Sequence, residues 1–134
     1  MSRASVLIPA HEHAATLPFA VASVRAQGVE DIEILIVGDV VNDSLRATVP
    51  TSYGRRPLNQ VLCFPKRAMP RRNPSRCGAP SSAGRIVCHQ CDDDLWLPGH
   101  LQDMEEALEC ADFAGSMVAN VSTDGRVWEA AFLT

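Results

Sequence analysis

Apolar positions along the chain fall into short, nearly continuous runs set between polar, proline-rich and glycine-rich stretches. Ser5-Val6-Leu7-Ile8-Pro9 is the first run, Glu33 to Asp39 the second, Val61-Leu62-Cys63-Phe64 the third and Arg85 to Gln90 the fourth. Apolar runs of this length, bounded by turn residues, predict strands shielded on both faces. Between the first two, Leu17, Ala20, Val21 and Val24 recur at helical spacing. Thr16 is placed to cap that helix, Pro18 suits its first turn, and Gly28 sits where a left-handed stop is expected. Asn42-Asp43-Ser44 can cap a short helix reaching about Val49. Pro98 opens a further helix to about Cys110, with Leu101, Met104 and Leu108 on one face and Glu105, Glu106 and Glu109 outside. Phe113 to Val121 and Arg126 to Leu133 read as strands joined by a turn at Thr123-Asp124-Gly125.

Strand and helix in alternation, with strands apolar on both faces, predict an α/β fold built on a mostly parallel sheet with helices on both faces. In an open sheet of this kind ligands bind beyond the carboxyl ends of the strands. Three polar segments fall at that edge: His11-Glu12-His13 after the first strand, Asp39 ending the second, and Asp92-Asp93-Asp94 after the fourth.

The stretch 51–84 breaks the pattern. Six of the nine prolines lie between Pro50 and Pro80, and Arg67 to Pro74 cannot form a regular helix. An irregular, basic insert or loop is expected there. Charge follows the same division: residues 1–50 hold three basic and six acidic groups, residues 51–91 eight basic and no acidic groups, and residues 92–134 ten acids against Arg126 alone. The simplest reading of this segregation is mutual neutralisation in the fold or a solvated loop. Arg67, Arg71, Arg72 and Arg76 could attract a polyanion, but no aromatic residues interleave with them and the net charge is -4, so nucleic acid is not the favoured partner.

At 134 residues the chain is long enough for one domain with a core. No apolar run approaches the ~20 residues that span a bilayer. The first apolar run ends at Pro9, too early for a secretory leader, and five cysteines are an odd number that does not suggest a disulfide framework. A cytoplasmic location is the expectation.

Candidate chemistry centres on Cys88-His89-Gln90-Cys91-Asp92-Asp93-Asp94-Leu95-Trp96-Leu97-Pro98. Three adjacent carboxylates repel one another, and holding them at a strand end is costly without a cation or hydrogen-bond donors. Oxygen donors suit Mg²⁺ or Mn²⁺ alongside a phosphate-bearing substrate. The competing reading is a solvated acidic turn that caps the next helix. A zinc module on Cys88 and Cys91 with His89 or His100 is the weaker alternative, since residues three apart on a strand face opposite ways. Trp96 reads as a core anchor.

Taken together, Ser5 to His11, Ile34 to Asp39 with Asn42-Asp43-Ser44, and Ile86-Val87-Cys88 through Asp94 to Leu101 resemble the family 2 glycosyltransferases of the GT-A fold. The likeness is good over 1–50 and 85–110 and looser over 112–128. It implies a Rossmann-like nucleotide-diphospho-sugar transferase fold, one GT-A-like domain over 1–134 truncated at its C-terminus. It also implies a nucleoside-diphosphate sugar as donor, UDP-sugar first, with Mg²⁺ or Mn²⁺ and an unknown acceptor. By the same likeness Pro9, Ala10, His11 and Glu12 line the nucleoside pocket, Asp39 meets the base, Asp92 and Asp93 face the ribose or diphosphate, and Asp92 and Asp94 hold the metal. No residue can be assigned as the base that deprotonates the acceptor. A non-catalytic nucleotide-binding remnant of such an enzyme is the alternative. Residues 67–84 depart from the family in composition, as an out-of-frame stretch would. An incomplete sheet implies self-association through exposed apolar surface.

Overall fold

The structure is a computed structural model that describes residues 3–10, 15–39, 59–64 and 84–129. The chain groups into two compact units, residues 1–98 and residues 99–134.

The first unit holds a four-stranded sheet. Its strands are β1 (Ala4–Ala10), β2 (Ile32–Asp39), β3 (Asn59–Phe64) and β4 (Ile86–His89), with helix α1 (Leu17–Arg25) in the β1–β2 crossover. The order across the sheet is β3-β2-β1-β4 and every pairing is parallel. Strand order therefore reverses at β1, which has β2 on one side and β4 on the other. Ala4, Val6 and Ile8 on one face of β1 and Ser5 and Leu7 on the other are all buried, as are Ile32 to Val37 of β2. Consecutive buried positions mean that both sheet faces are shielded from water here, as the apolar runs predict. The edge strand β4 is different: Val87 and His89 are exposed and Ile86 and Cys88 half-buried.

Helix α1 turns Leu17, Ala20, Val21 and Val24 inward. Pro18 occupies its first turn, and Gly28 has φ +68°, the left-handed value expected of a stop residue. Thr16 stands at the N-cap position, but its side chain makes no capping hydrogen bond; its carbonyl instead accepts from the Phe19 and Ala20 N–H groups at 2.9 and 3.1 Å.

The second unit contains α2 (His100–Ala107) and a hairpin of β5 (Ala119–Val121) and β6 (Val127–Glu129). The predicted elements are longer than those found. Helix α2 begins after Gly99, whose φ of +86° breaks the run from Pro98, and it gives way to a turn at Leu108 rather than continuing to Cys110. Leu101 is fully buried and Met104 and Leu108 half-buried, but Glu105 is half-buried with them, so the polar face is narrower than its spacing suggests. Phe113 to Val118 is not strand: Phe113 is 87% exposed and the ladder starts only at Ala119. The turn falls as predicted. Gly125 N–H donates to the Ser122 carbonyl at 2.9 Å, Gly125 takes φ +83°, and Asp124 accepts from Ser122 Oγ and from the Arg126 N–H. The expected helix at Asn42 to Val49, most of the basic stretch and residues 130–134 lie outside the described residues. Among those described, no helix is long and apolar enough to cross a membrane.

Candidate functional site at the carboxyl edge of the sheet

Register fixes which segments meet at this edge. Ala10 pairs with Gly38, so Asp39 is the last residue of β2, and Leu7 pairs with His89 of β4. The Gln90 N–H donates to the Leu7 carbonyl at 3.1 Å and carries the parallel alignment one residue past the strand. The chain then leaves the sheet as the loop 91–97, beside the end of β1. In open sheets of this kind the carboxyl edge at a reversal of strand order is where ligands bind, and here the order reverses between β1 and β4. Pro9 is exposed here and Ala10 buried. Asp39 ends β2 on the same edge. His11 and Glu12, expected to face the nucleoside with them, lie outside the described residues.

The three carboxylates do not behave alike. Asp92 is buried, at 6% exposure, whereas Asp93 and Asp94 are exposed. Cys91 Sγ and a carboxylate oxygen from each of Asp93 and Asp94 all lie within 4.8 Å of one another. The group contains Asp94 of the expected metal pair together with Asp93 and a thiol, and does not include Asp92. Partial burial, then the charge and hydrogen bond of Asp94, push the Cys91 thiol up from its ordinary value; Asp93 and Asp92 add to this. Among the described residues Cys88, which lies inside β4, belongs to no such group, and neither does His89 or His100.

The loop is tied down by polar side chains that the sequence pattern does not single out. Gln90, 4% exposed, donates from Nε2 to the Asp94 carbonyl at 2.9 Å and to Ser23 Oγ at 3.1 Å. Ser23 Oγ also accepts from the Trp96 N–H at 3.1 Å, and Gln27 Nε2 donates to the Leu97 carbonyl at 3.0 Å. Trp96 itself is half-buried. One signal was available: Ser23 and Gln27 are spaced i, i+4 at the carboxyl end of the predicted helix, the spacing of neighbours on one helix side.

Comparison with known proteins identifies the family and the fold. An uncharacterized glycosyltransferase of Nostoc sp. is 29% identical over 113 residues, which is 84% of this chain and 35% of that protein. The chain therefore spans about a third of the length of the curated relative it matches. Among solved structures, S. aureus TarS 1–349 superposes with a TM-score of 0.64 at 17% identity, over 80% of this chain and 32% of its own. The mannosyltransferase PcManGT from Pyrobaculum calidifontis, solved in complex with GDP-Man and Mn²⁺, gives 0.63 at 18% identity, over 79% and 32%. At these identities the structures establish the fold, which is GT-A. The family description Glycosyl transferase family 2 matches residues 5–132, nearly the whole sequence, and the chain belongs to that family.

Proposed function

We propose that this chain supplies the donor half of a metal-dependent sugar transferase, binding a nucleoside-diphosphate sugar at the carboxyl edge for transfer to an acceptor. The observation that carries the reading is the meeting of Cys91, Asp93 and Asp94 at the point where strand order reverses. Two carboxylates whose oxygens converge are a fit donor set for Mg²⁺ or Mn²⁺, with the diphosphate completing the shell. Bound there, a divalent ion would neutralise charge on the departing diphosphate. Asp93 and Asp94 would hold it, with the Cys91 thiol in reach; the expected role of Asp92 as a ligand passes to Asp93, since Asp92 is withdrawn from solvent. Asp92 is then left to face the ribose from the loop.

Pro9, Ala10, His11 and Glu12 would form the wall against the nucleoside, and Asp39 would accept a hydrogen bond from the base. UDP is the first nucleotide to try, and GDP the second, because the Pyrobaculum mannosyltransferase holds GDP-Man with Mn²⁺. The alternative is a nucleotide-binding domain without turnover.

Thermal unfolding with Mn²⁺, with each nucleotide, and with both together tests the reading. A ligand at ~100 times its dissociation constant adds about 2.7 kcal/mol to stability. A rise that needs both components and disappears in Asp94→Ala supports the donor site. A cooperative transition that neither nucleotide moves would overturn it. Sugar release or transfer from the bound donor separates the enzyme from the binding domain.

A further inference from the structure

The loop that carries Cys91, Asp93 and Asp94 has few apolar anchors: Leu95 is 63% and Leu97 75% exposed. Backbone hydrogen bonds inside it are sparse, the Asp94 N–H reaching the Cys91 carbonyl only at 3.4 Å. Its position must come from elsewhere. We propose that Gln90 after β4, Ser23 of α1 and Gln27 just past its end form a clamp that sets the geometry of this loop, and that they are positioning residues for the donor site.

The hydrogen-bonding capacity of the clamp is matched closely to the task. The Ser23 hydroxyl has one donor and two acceptor sites. It donates to the Ala20 carbonyl at 2.7 Å and accepts from Gln90 Nε2 and the Trp96 N–H, both at 3.1 Å. The Gln90 amide has two N–H groups; its short contacts are Ser23 Oγ and the Asp94 carbonyl, with the Ala20 carbonyl more distant at 3.4 Å. Two of these partners are carbonyls, which only accept, so the nitrogen must point this way. Just past the end of α1, Gln27 donates to the Leu97 carbonyl at 3.0 Å and back to the Ser23 carbonyl at 3.1 Å. Together the three side chains hold three loop backbone groups: the Asp94 carbonyl, the Trp96 N–H and the Leu97 carbonyl.

Gln90 also carries a cost. Its Oε1 is buried with no hydrogen-bond partner among the described residues. A buried acceptor left unmade is unfavourable, and an apolar side chain of similar size would avoid the penalty. What an apolar residue would lose is the pair of donors that tie Asp94 to Ser23. Hydrogen bonds that orient metal ligands from outside typically govern metal affinity by ten- to a hundredfold.

The functional consequence rests on the metal-site reading above; the clamp itself does not. The test therefore uses two readouts on the full chain. The first is the Mn²⁺ dissociation constant, from the electron paramagnetic resonance signal of free Mn²⁺. The second is backbone amide exchange over residues 91–97 without metal. Ser23→Ala and Gln90→Glu are expected to raise the Mn²⁺ dissociation constant about tenfold and to speed exchange in the loop. Ser23→Thr, which keeps the hydroxyl, should preserve both. Val24→Ala, a buried neighbour on α1 outside the clamp, should lower the thermal midpoint and move neither. Unchanged exchange in both clamp variants, or an equal change in Val24→Ala, overturns the clamp. Faster exchange in a chain that takes up no Mn²⁺ supports the clamp while removing the metal site. Faster exchange with an unaltered dissociation constant overturns the positioning role.

Discussion

Ser5 and Glu33 are register partners on β1 and β2, and the Ser5 hydroxyl donates to Glu33 Oε2 at 2.6 Å inside the sheet. Both side chains are buried, Ser5 fully and Glu33 to 4% exposure. The same hydroxyl accepts from the Gly84 N–H at 2.8 Å, so one serine joins two strands to the approach of a third. Hydrogen bonds to charged groups contribute about 1.5–3 kcal/mol. Ser5→Ala should lower stability by about that much, read as a shift in the urea midpoint at constant slope. Gly84→Ala should cost as much or more. Its Cβ would stand 2.3 Å from the Ser5 backbone nitrogen and 2.5 Å from the Ala4 carbonyl carbon, which only a backbone shift can relieve. A Gly84→Ala chain of unchanged stability would mean that the approach to β4 is looser than drawn.

A metal held by Asp93 and Asp94 as proposed would have a thiol, Cys91, in reach. Thiolate donors favour softer ions, whereas Mg²⁺ prefers oxygen. Cys91→Ser should weaken Cd²⁺ or Zn²⁺ binding about tenfold or more and leave Mg²⁺ within about twofold. Direct titration of each ion checks this. Because burial and Asp94 hold the thiol protonated, uptake of a soft ion should release a proton, and its affinity should rise with pH.

His100, the first residue of α2, has its pKa lowered from the ordinary value of 6.5, chiefly by burial, with Asp103 opposing. The unfolded chain therefore takes up a proton at higher pH than the folded one. The stabilising contribution is present above about pH 6.5 and is lost as pH falls through the lowered value. The thermal midpoint should decline on acidification from pH 7, and His100→Gln should shallow that decline. An identical slope in the variant would remove His100 as the source.

Val121 and Val127 are cross-strand partners in the β5–β6 hairpin and are 69% and 65% exposed, with Trp128 at 51%. A two-stranded ribbon is marginal in water unless it packs against something. Light scattering should show self-association growing with concentration, and Val121→Lys with Val127→Glu should reduce it. A monodisperse monomer at high concentration would count against the prediction.

Much of the sheet is legible in the sequence because β1 and β2 are shielded on both faces. Apolar runs such as Ile34 to Val37 have no competing interpretation once Pro9 and Gly38-Asp39 bound them. Phe113 to Val118 misleads for the opposite reason: apolar residue types there are exposed, so pattern and burial part company. The acidic loop is visible as three carboxylates, but nothing in their spacing separates buried Asp92 from exposed Asp93 and Asp94. That division depends on how the chain turns after Gln90. The clamp is harder still to foresee, since Ser23 and Gln90 are polar residues 67 positions apart whose pairing only the fold creates.

Strand order also bears on how the domain comes to exist in time. β1 and β2 are joined by one helix and can pair early, as local contacts do. The β1–β4 pairing must wait for a far longer segment to close, the contact from Ser5 to Gly84 alone bridging 79 residues. Closing a longer loop costs more entropy before any contact repays it. The carboxyl edge between β1 and β4 is thus expected to assemble after the β1–β2 pair. Slow steps in refolding should therefore appear first as delayed acquisition of ligand binding, behind the recovery of secondary structure.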